Sequence, residues 1–582
     1  MSGKRRNFRI TFTVAAVLLA GIAGLAISVT SDLRGARLDL TSEKRFTMSP
    51  AAAQVLGELA VPIQVQLYIT PESRMPTELK NLERDITEQL ANFERVSDGM
   101  LQFGVLNPQD DEELQDRLMQ KGIRPFQVQS VDKDEFGVKL IWSALTIAYK
   151  DHPEEVIPQI LPYTLGALES LVVGPVYRLT RENVPKVAVF APLTEVDPQV
   201  AMMYLQQGMQ PPQPTDEYAR IAELLEQQHY EATRIELTED SPIPADADLL
   251  LVLNPRRLGE RQAFEINRAL SNGIPTLMAV QAHTYNYSPA PRGGWSISAV
   301  ENTTGLEDLL AGLGVSVVQD HFMDQSMQVL ELPREVNLGG LRMQTREPVQ
   351  APIQILVTGD NMSDVAVTSH LGSLLYLWGT PVEVDRARLA ENALAATTLM
   401  TSSDESWRVE FQPGQMTASM FDPGQHTMTG PAPLAVMVEG QFPDTFAGEV
   451  PAWPVDAAED TAATATQGPV VATPLDPRPS RLIVVGCGKM FDDNVIQGAQ
   501  NALLLANSVD YLAGAEELLS IRSRTLTRRF VEQVSAGEKL LWRFLAVLLV
   551  PVLVAAFGIT RSTLRRREAT RYRARLRRAP AV

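Results

Sequence analysis

The chain of 582 residues is 45% hydrophobic and 21% charged, long enough for several domains of about 150 residues each. Cys487 is its only cysteine, which excludes an internal disulfide and any CxxC redox or zinc pattern. The formal net charge is −18, but the first nine residues carry +4 and residues 561–582 carry +8; what is left, −30 over residues 10–560, repels nucleic acid and acidic surfaces.

Residues 1–9, with Lys4, Arg5, Arg6 and Arg9, precede an apolar segment, Ile10–Thr30, that has no charge in 21 residues. As a helix rising about 1.5 Å per residue it covers a bilayer core of about 30 Å. A cleaved signal peptide, cut near Ala26-Ile27-Ser28, is the alternative reading, yet the stretch exceeds the usual apolar region of about 7–15 residues. A second span is expected over 540–560, with Phe544–Thr560 as its apolar run, Pro551 as a tolerated kink and Arg543 snorkelling to the interface. Arginines flank both spans on their terminal sides. The positive-inside rule therefore places both termini in the cytoplasm and the body outside, in the periplasm of a Gram-negative cell. The arginine-rich tail 561–582 reads as a topology signal and a ligand for anionic lipid heads, with no nucleic acid as partner.

After the first span, Ser49 is expected to cap a helix beginning at Pro50, with Ala51, Ala52, Val55, Leu56 and Leu59 as its apolar face. Within 31–182 the pattern predicts a strand Ile63–Ile69, a helix Thr77–Val96, a strand Leu101–Leu106 and a helix Glu112–Gln120. Strand-like runs follow at Val138–Ile147 and Glu155–Ile160. This alternation argues a small α/β layer of thioredoxin-like topology, without thioredoxin chemistry because it has no cysteine. Within 183–515 the expected strands are Val187–Phe190, Leu249–Leu253, Thr276–Val280, Ala396–Met400, Leu434–Val438 and Leu482–Val485. The expected helices are Asp216–Gln228, Gly259–Leu270 and Gly498–Gly514, in doubly wound order. Gln206–Pro214 and the low-complexity insert 454–480 read as loops, and 516–539 as a juxtamembrane segment.

Candidate chemistry concentrates in Val485-Gly486-Cys487-Gly488-Lys489-Met490. As a phosphate loop it fails, since Met490 stands where a magnesium-binding hydroxyl is required. As a nucleophile elbow it lacks a glycine at Val485, and a strand-to-helix turn needing small residues is the simpler reading. The histidines at 152, 229, 283, 321, 370 and 426 have no ligand spacing, and Asp110-Asp111 and Asp492-Asp493 read as solvated turn or helix-start pairs. The sequence thus assigns no catalytic, cofactor-binding or metal-binding residue.

The run Leu38-Asp39-Leu40-Thr41-Ser42-Glu43-Lys44-Arg45-Phe46-Thr47-Met48-Ser49 resembles the juxtamembrane signature of the GldG-like family, gliding-motility auxiliary components of ABC transport systems. The resemblance continues in DADLLLVLNPRRL (residues 246–258), in SNGIPTLMAV (271–280), in Thr401–Trp407, in Gly440-Gln441-Phe442 and in Glu516–Arg524. Where many relatives carry Gly-His-Gly-Glu after the first central strand, this chain has Ala191-Pro192-Leu193-Thr194-Glu195, so only the glutamate is kept. The resemblance implies an amidotransferase-like central domain. It also implies a non-catalytic, membrane-anchored auxiliary subunit acting with an ABC-2-type permease and a cytoplasmic ABC ATPase. An envelope structural or glycan-binding protein and an amidotransferase-like hydrolase are the alternatives. The expected fold class is α/β: a thioredoxin-like unit and a larger doubly wound domain, both periplasmic, held between two transmembrane helices.

Overall fold

The computed structural model describes residues 48–519 and 559–567, apart from 133–134, 151, 182, 195, 197, 291–293, 339–340, 370, 447–449, 454–474, 476, 516–517 and 565–566. The segment 10–30, nearly all of 540–560 and most of the insert 454–480 lie outside the described residues. Among the described residues no helix is long and apolar enough to cross a membrane. Two compact units divide the chain, Met1–Leu526 and Thr527–Val582. In the second, residues 559–564 are helical and exposed.

In the first unit the described residues open with α1 (Pro50–Gly57), whose start follows the expected chemistry: the Ser49 hydroxyl accepts from the Ala52 N–H at 3.0 Å and Pro50 occupies the first turn. Then come β1 (Ile63–Ile69), α2 (Leu82–Val96), β2 (Leu101–Leu106), α3 (Glu112–Gln120), a hairpin of β3 (Phe126–Asp132) and β4 (Glu135–Ile141), β5 (Ser143–Ala148), β6 (Glu155–Ile157) and α4 (Leu168–Thr180). The sheet order is β2-β1-β5-β6, with β1 and β2 parallel and the other pairs antiparallel. The helix expected over Thr77–Val96 is divided into a short 3₁₀ turn, Thr77–Leu79, and α2. Leu79, Leu82, Ile86, Leu90 and Phe93 are buried together, so one apolar stripe crosses the break and hides it from a periodicity argument.

The central sheet is built from β7 (Lys186–Phe190), β8 (Glu231–Ile235), β9 (Leu249–Leu253) and β10 (Thr276–Ala279), with α5 (Pro198–Gln206), α6 (Ala219–Gln227) and α7 (Glu260–Ser271) between them. The chain then leaves the sheet through β11 (His283–Pro289), β12 (Trp295–Glu301), α8 (Glu307–Gly312), β13 (Val315–Val317), β14 (His321–Asp324), β15 (Leu330–Leu338), β16 (Leu341–Val349), β17 (Gln354–Thr358), β18 (Ser373–Leu377), β19 (Val382–Val384) and α9 (Arg386–Glu391). It returns as β20 (Ala395–Thr401), makes β21 (Ser406–Val409) and β22 (Gly414–Gln415), and closes with β23 (Pro433–Gln441), β24 (Pro479–Val485) and α10 (Asn501–Leu512).

The seven strands run β20-β23-β24-β10-β9-β7-β8. The five from β24 to β8 are parallel and the two at the other edge antiparallel. Alternate residues supply two cores. Val187, Val189, Leu249, Leu251, Leu277 and Ile483 pack with Ile221 and Leu225 of α6 and Leu504, Leu505 and Val509 of α10. Ala188, Phe190, Leu250, Val252, Met278 and Val484 pack on the other face with Ile266 and Leu270 of α7 and Leu309 of α8. Burial on both faces is why these strands read as unbroken apolar runs, each Val, Leu or Ile contributing about 1.5–3 kcal/mol. The helix expected from Asp216 starts at Ala219, because the Asp216 carboxylate accepts the Tyr218 N–H at 2.9 Å and Tyr218 has a non-helical φ of −122°.

Candidate functional site

In a doubly wound sheet the ligand crevice lies outside the carboxyl ends of the strands, where the chain winds away in opposite directions. Here that point lies between β7 and β9: from β7 the chain continues to β8 on one side, then crosses to β9 on the other. Ala191 follows β7, Asn254 follows β9 and Gly486-Cys487-Gly488-Lys489 follows β24.

These residues are held by contacts within the chain. Tyr218, 2% exposed, donates its hydroxyl to the Gly488 carbonyl at 3.2 Å. Gly488 sits so close to β9 that a Cβ there would lie 2.7 Å from the Asn254 Cβ. Gly486 is equally confined, since its Cβ would fall 2.1 Å from the Thr380 carbonyl oxygen. Both glycines of the Gly-Cys-Gly-Lys run are therefore required by packing, not by a phosphate. Asn254 adopts a left-handed φ of 47° and donates its N–H to the Ala279 carbonyl at 2.7 Å.

Lys489 is likewise committed within the chain. Its ammonium pairs with Asp492 at 2.8 Å and Glu217 at 3.5 Å and lies 5.8 Å from the centre of the Trp378 ring. Its N–H donates to Gln281 Oε1 at 3.0 Å, and the Gln281 amide in turn donates to the carbonyls of His283 and Trp378. Asp492 is fully buried, which corrects its reading as a solvated turn residue: Lys489 and the Asn494 N–H compensate the buried carboxylate. Asp493 accepts from the Arg220 N–H at 3.0 Å, and Asp111 caps α3 through the Leu114 N–H at 3.0 Å. Glu195 lies outside the described residues. Cys487 is fully buried, its thiol donates to the Leu377 carbonyl at 3.2 Å, and burial pushes it up to about 12. A thiol protonated throughout the physiological range is not a nucleophile.

A second cluster escaped the sequence reading. His283 and Tyr285 of β11 meet His321 of β14 and Phe411: the His283 ring stacks on Phe411 at 4.3 Å between centroids and lies 5.3 Å from His321. The Gln412 N–H donates to His321 Nε2 at 3.4 Å, so the ring proton sits on Nδ1, 2.9 Å from the Tyr285 hydroxyl. Burial is the main cause that lowers both imidazoles, His283 to about 4, and the neighbouring His321 ring, which opposes a second charge beside it, adds to the effect there. The only sequence signal was the alternation His283-x-Tyr285-x-Tyr287, which puts the three rings on one strand face. Among the described residues no group of three or more His, Cys, Asp or Glu side chains is placed to hold a metal ion.

The fold thus defines a doubly wound α/β protein whose switch point carries a buried tyrosine, a packed glycine turn and an internal ion cluster. Residues 185–515 match the model of the family described as an ABC-type uncharacterized transport system, and the chain belongs to that family. Residues 42–148 match a second family, described as a domain of unknown function. Among curated proteins none matches the chain. Solved structures similar to it include the mmIFT52 N-terminal domain, 12% identical with a TM-score of 0.27 over 57% of this chain and 97% of that one. A ThuA-like protein from Bacteroides uniformis ATCC 8492 is also 12% identical, with a TM-score of 0.27 over 57% of this chain and 94% of its own.

Proposed function

We propose that the chain is a non-catalytic, membrane-anchored auxiliary subunit of an ABC-type transport system, of the GldG-like kind, working with an ABC-2-type permease and a cytoplasmic ABC ATPase. The observation that carries this reading is the family match over residues 185–515. The buried thiol of Cys487 and the internally paired Lys489 support a body that binds partners instead of turning over a substrate. On this reading 10–30 and 540–560 are the spans, both termini are cytoplasmic and the tail 561–582 lies against anionic lipid. The body is periplasmic, a thioredoxin-like unit followed by an amidotransferase-like one. Purification of the tagged full chain from native membranes in mild detergent tests it: a multi-span permease and an ABC ATPase should co-purify. Failure to recover either would overturn the transport reading. Alkaline phosphatase fused at Gln467 should be active and a fluorescent protein fused at Val582 bright; the reverse pattern would refute the topology.

A further inference from the structure

Between β7 and α6 the chain makes an excursion that is pinned at its root. The Thr194 N–H donates to the Thr215 carbonyl at 2.9 Å, the Thr215 N–H donates to Thr194 Oγ1 at 2.8 Å, and the two hydroxyls are 2.6 Å apart. Leu193 and Asp216 form a bridge just below them, and Arg234 holds Asp216 at 2.9 Å. Within the excursion α5 is ended by Gly208 at φ +72°, with the Met209 N–H donating to the Tyr204 carbonyl and the Gly208 N–H to that of Leu205. That is a Schellman stop, so the helix has a built end.

The surface of this excursion departs from the rest of the body. Leu193, Val200, Met202, Met203, Leu205 and Met209 are all exposed large apolar side chains. Residues 198–215 contain no charged side chain, inside a stretch, 10–560, that holds −30. A helix apolar on nearly every side is one that is covered in the working molecule. We propose that α5 and the Met209 turn form a docking arm that inserts into an apolar, uncharged groove of a membrane-embedded partner protein. On the transport reading above, on which this rests, that partner is the permease.

Charge selects this occupant. An interfacial lipid-binding helix carries Lys or Arg toward the headgroups, and 198–215 has neither. A second copy would bring another acidic body against the first, with no cation on the arm to offset the repulsion. A charged groove would lose its hydration against uncharged side chains and gain no partner. Methionines, flexible and polarizable, suit an irregular apolar groove.

The test places a photo-crosslinking residue at Met203 of the full chain in native membranes, with a control at Tyr163, which is 77% exposed and lies outside the arm. The expected result is an adduct with the co-purifying permease at least tenfold stronger from 203 than from 163. An M202Q/M203Q/L205Q variant, melting like the native chain, should recover at least tenfold less permease. Permease recovery without an adduct or a loss in the variant would overturn the arm and leave the transport reading intact. An adduct with a second copy, or with lipid, would overturn it in favour of that occupant. If the native chain recovers no permease, the transport reading falls first and the arm's proposed partner with it.

Discussion

Replacing His283 by Phe should make the protein less sensitive to acid, because the buried imidazole resists a proton that the unfolded chain accepts. Its folded value of about 4 lies below the unperturbed 6.5, so its contribution is fully present above pH 6.5 and is lost as pH falls toward 4. That lowering corresponds to about 3.4 kcal/mol in all, of which about 2 kcal/mol is lost between pH 7 and pH 5. Phe keeps the ring stack on Phe411 and has no titrating nitrogen. Urea unfolding of the full chain in mild detergent, followed by tryptophan emission, reads the effect, since Trp407 and Trp378 belong to the same small core. The native protein should lose about 2 kcal/mol more than His283→Phe between the two pH values. His321 is present in both proteins, as are the carboxylates, so the difference isolates His283 and its coupling to His321. Equal acid sensitivity would refute the claim that His283 is buried and neutral.

Asn501 holds α10 to β18 and to the turn after β24 by accepting from the Leu375 N–H and donating to the carbonyls of Leu375 and Met490, all within 3.0 Å. Asn501→Leu should cost about 3 kcal/mol or more by stranding these buried groups, measured as a fall in the urea midpoint. Gly305, at φ +81°, leaves no room for a side chain because a Cβ would lie 2.1 Å from the Leu258 carbonyl oxygen. Gly305→Ala should therefore lose at least about 2 kcal/mol in the same assay, and a neutral result would show that the loop relaxes. The Cys487 thiol should ignore a disulfide reagent at pH 8 in the folded chain and react fully in urea; rapid native reaction would contradict its burial.

The strand Leu249–Leu253, the strand expected at Thr276–Val280 and the Leu482–Val485 part of Pro479–Val485 were legible because burial on both faces leaves unbroken apolar runs, and α1 because Ser-Pro specifies a helix start. The long excursion from β11 to β19 was not. Its strands pair in twos and threes, and partners such as His321–Asp324 and Ser406–Val409 lie far apart in sequence, so neither period nor turn residues announce them. The Gly-Cys-Gly-Lys run reads as a turn needing small residues, but the contacts that demand them, with Thr380 and Asn254, require tertiary geometry. The two expected spans, 10–30 and nearly all of 540–560, lie outside the described residues.

The order in which the sheet is completed has a consequence for how the chain is made. β24, at Pro479–Val485, fits between β10 and β23, yet β10 ends at Ala279, so the neighbour of β10 emerges about 200 residues later. At roughly 5–20 residues per second the apolar edge of β10 stays unpaired for about 10–40 s. An open parallel edge of Leu277 and Met278 is a template for intermolecular pairing, and non-local closure of this kind is slow. Any chain interrupted between Ala279 and Pro479 carries that edge permanently exposed and should aggregate.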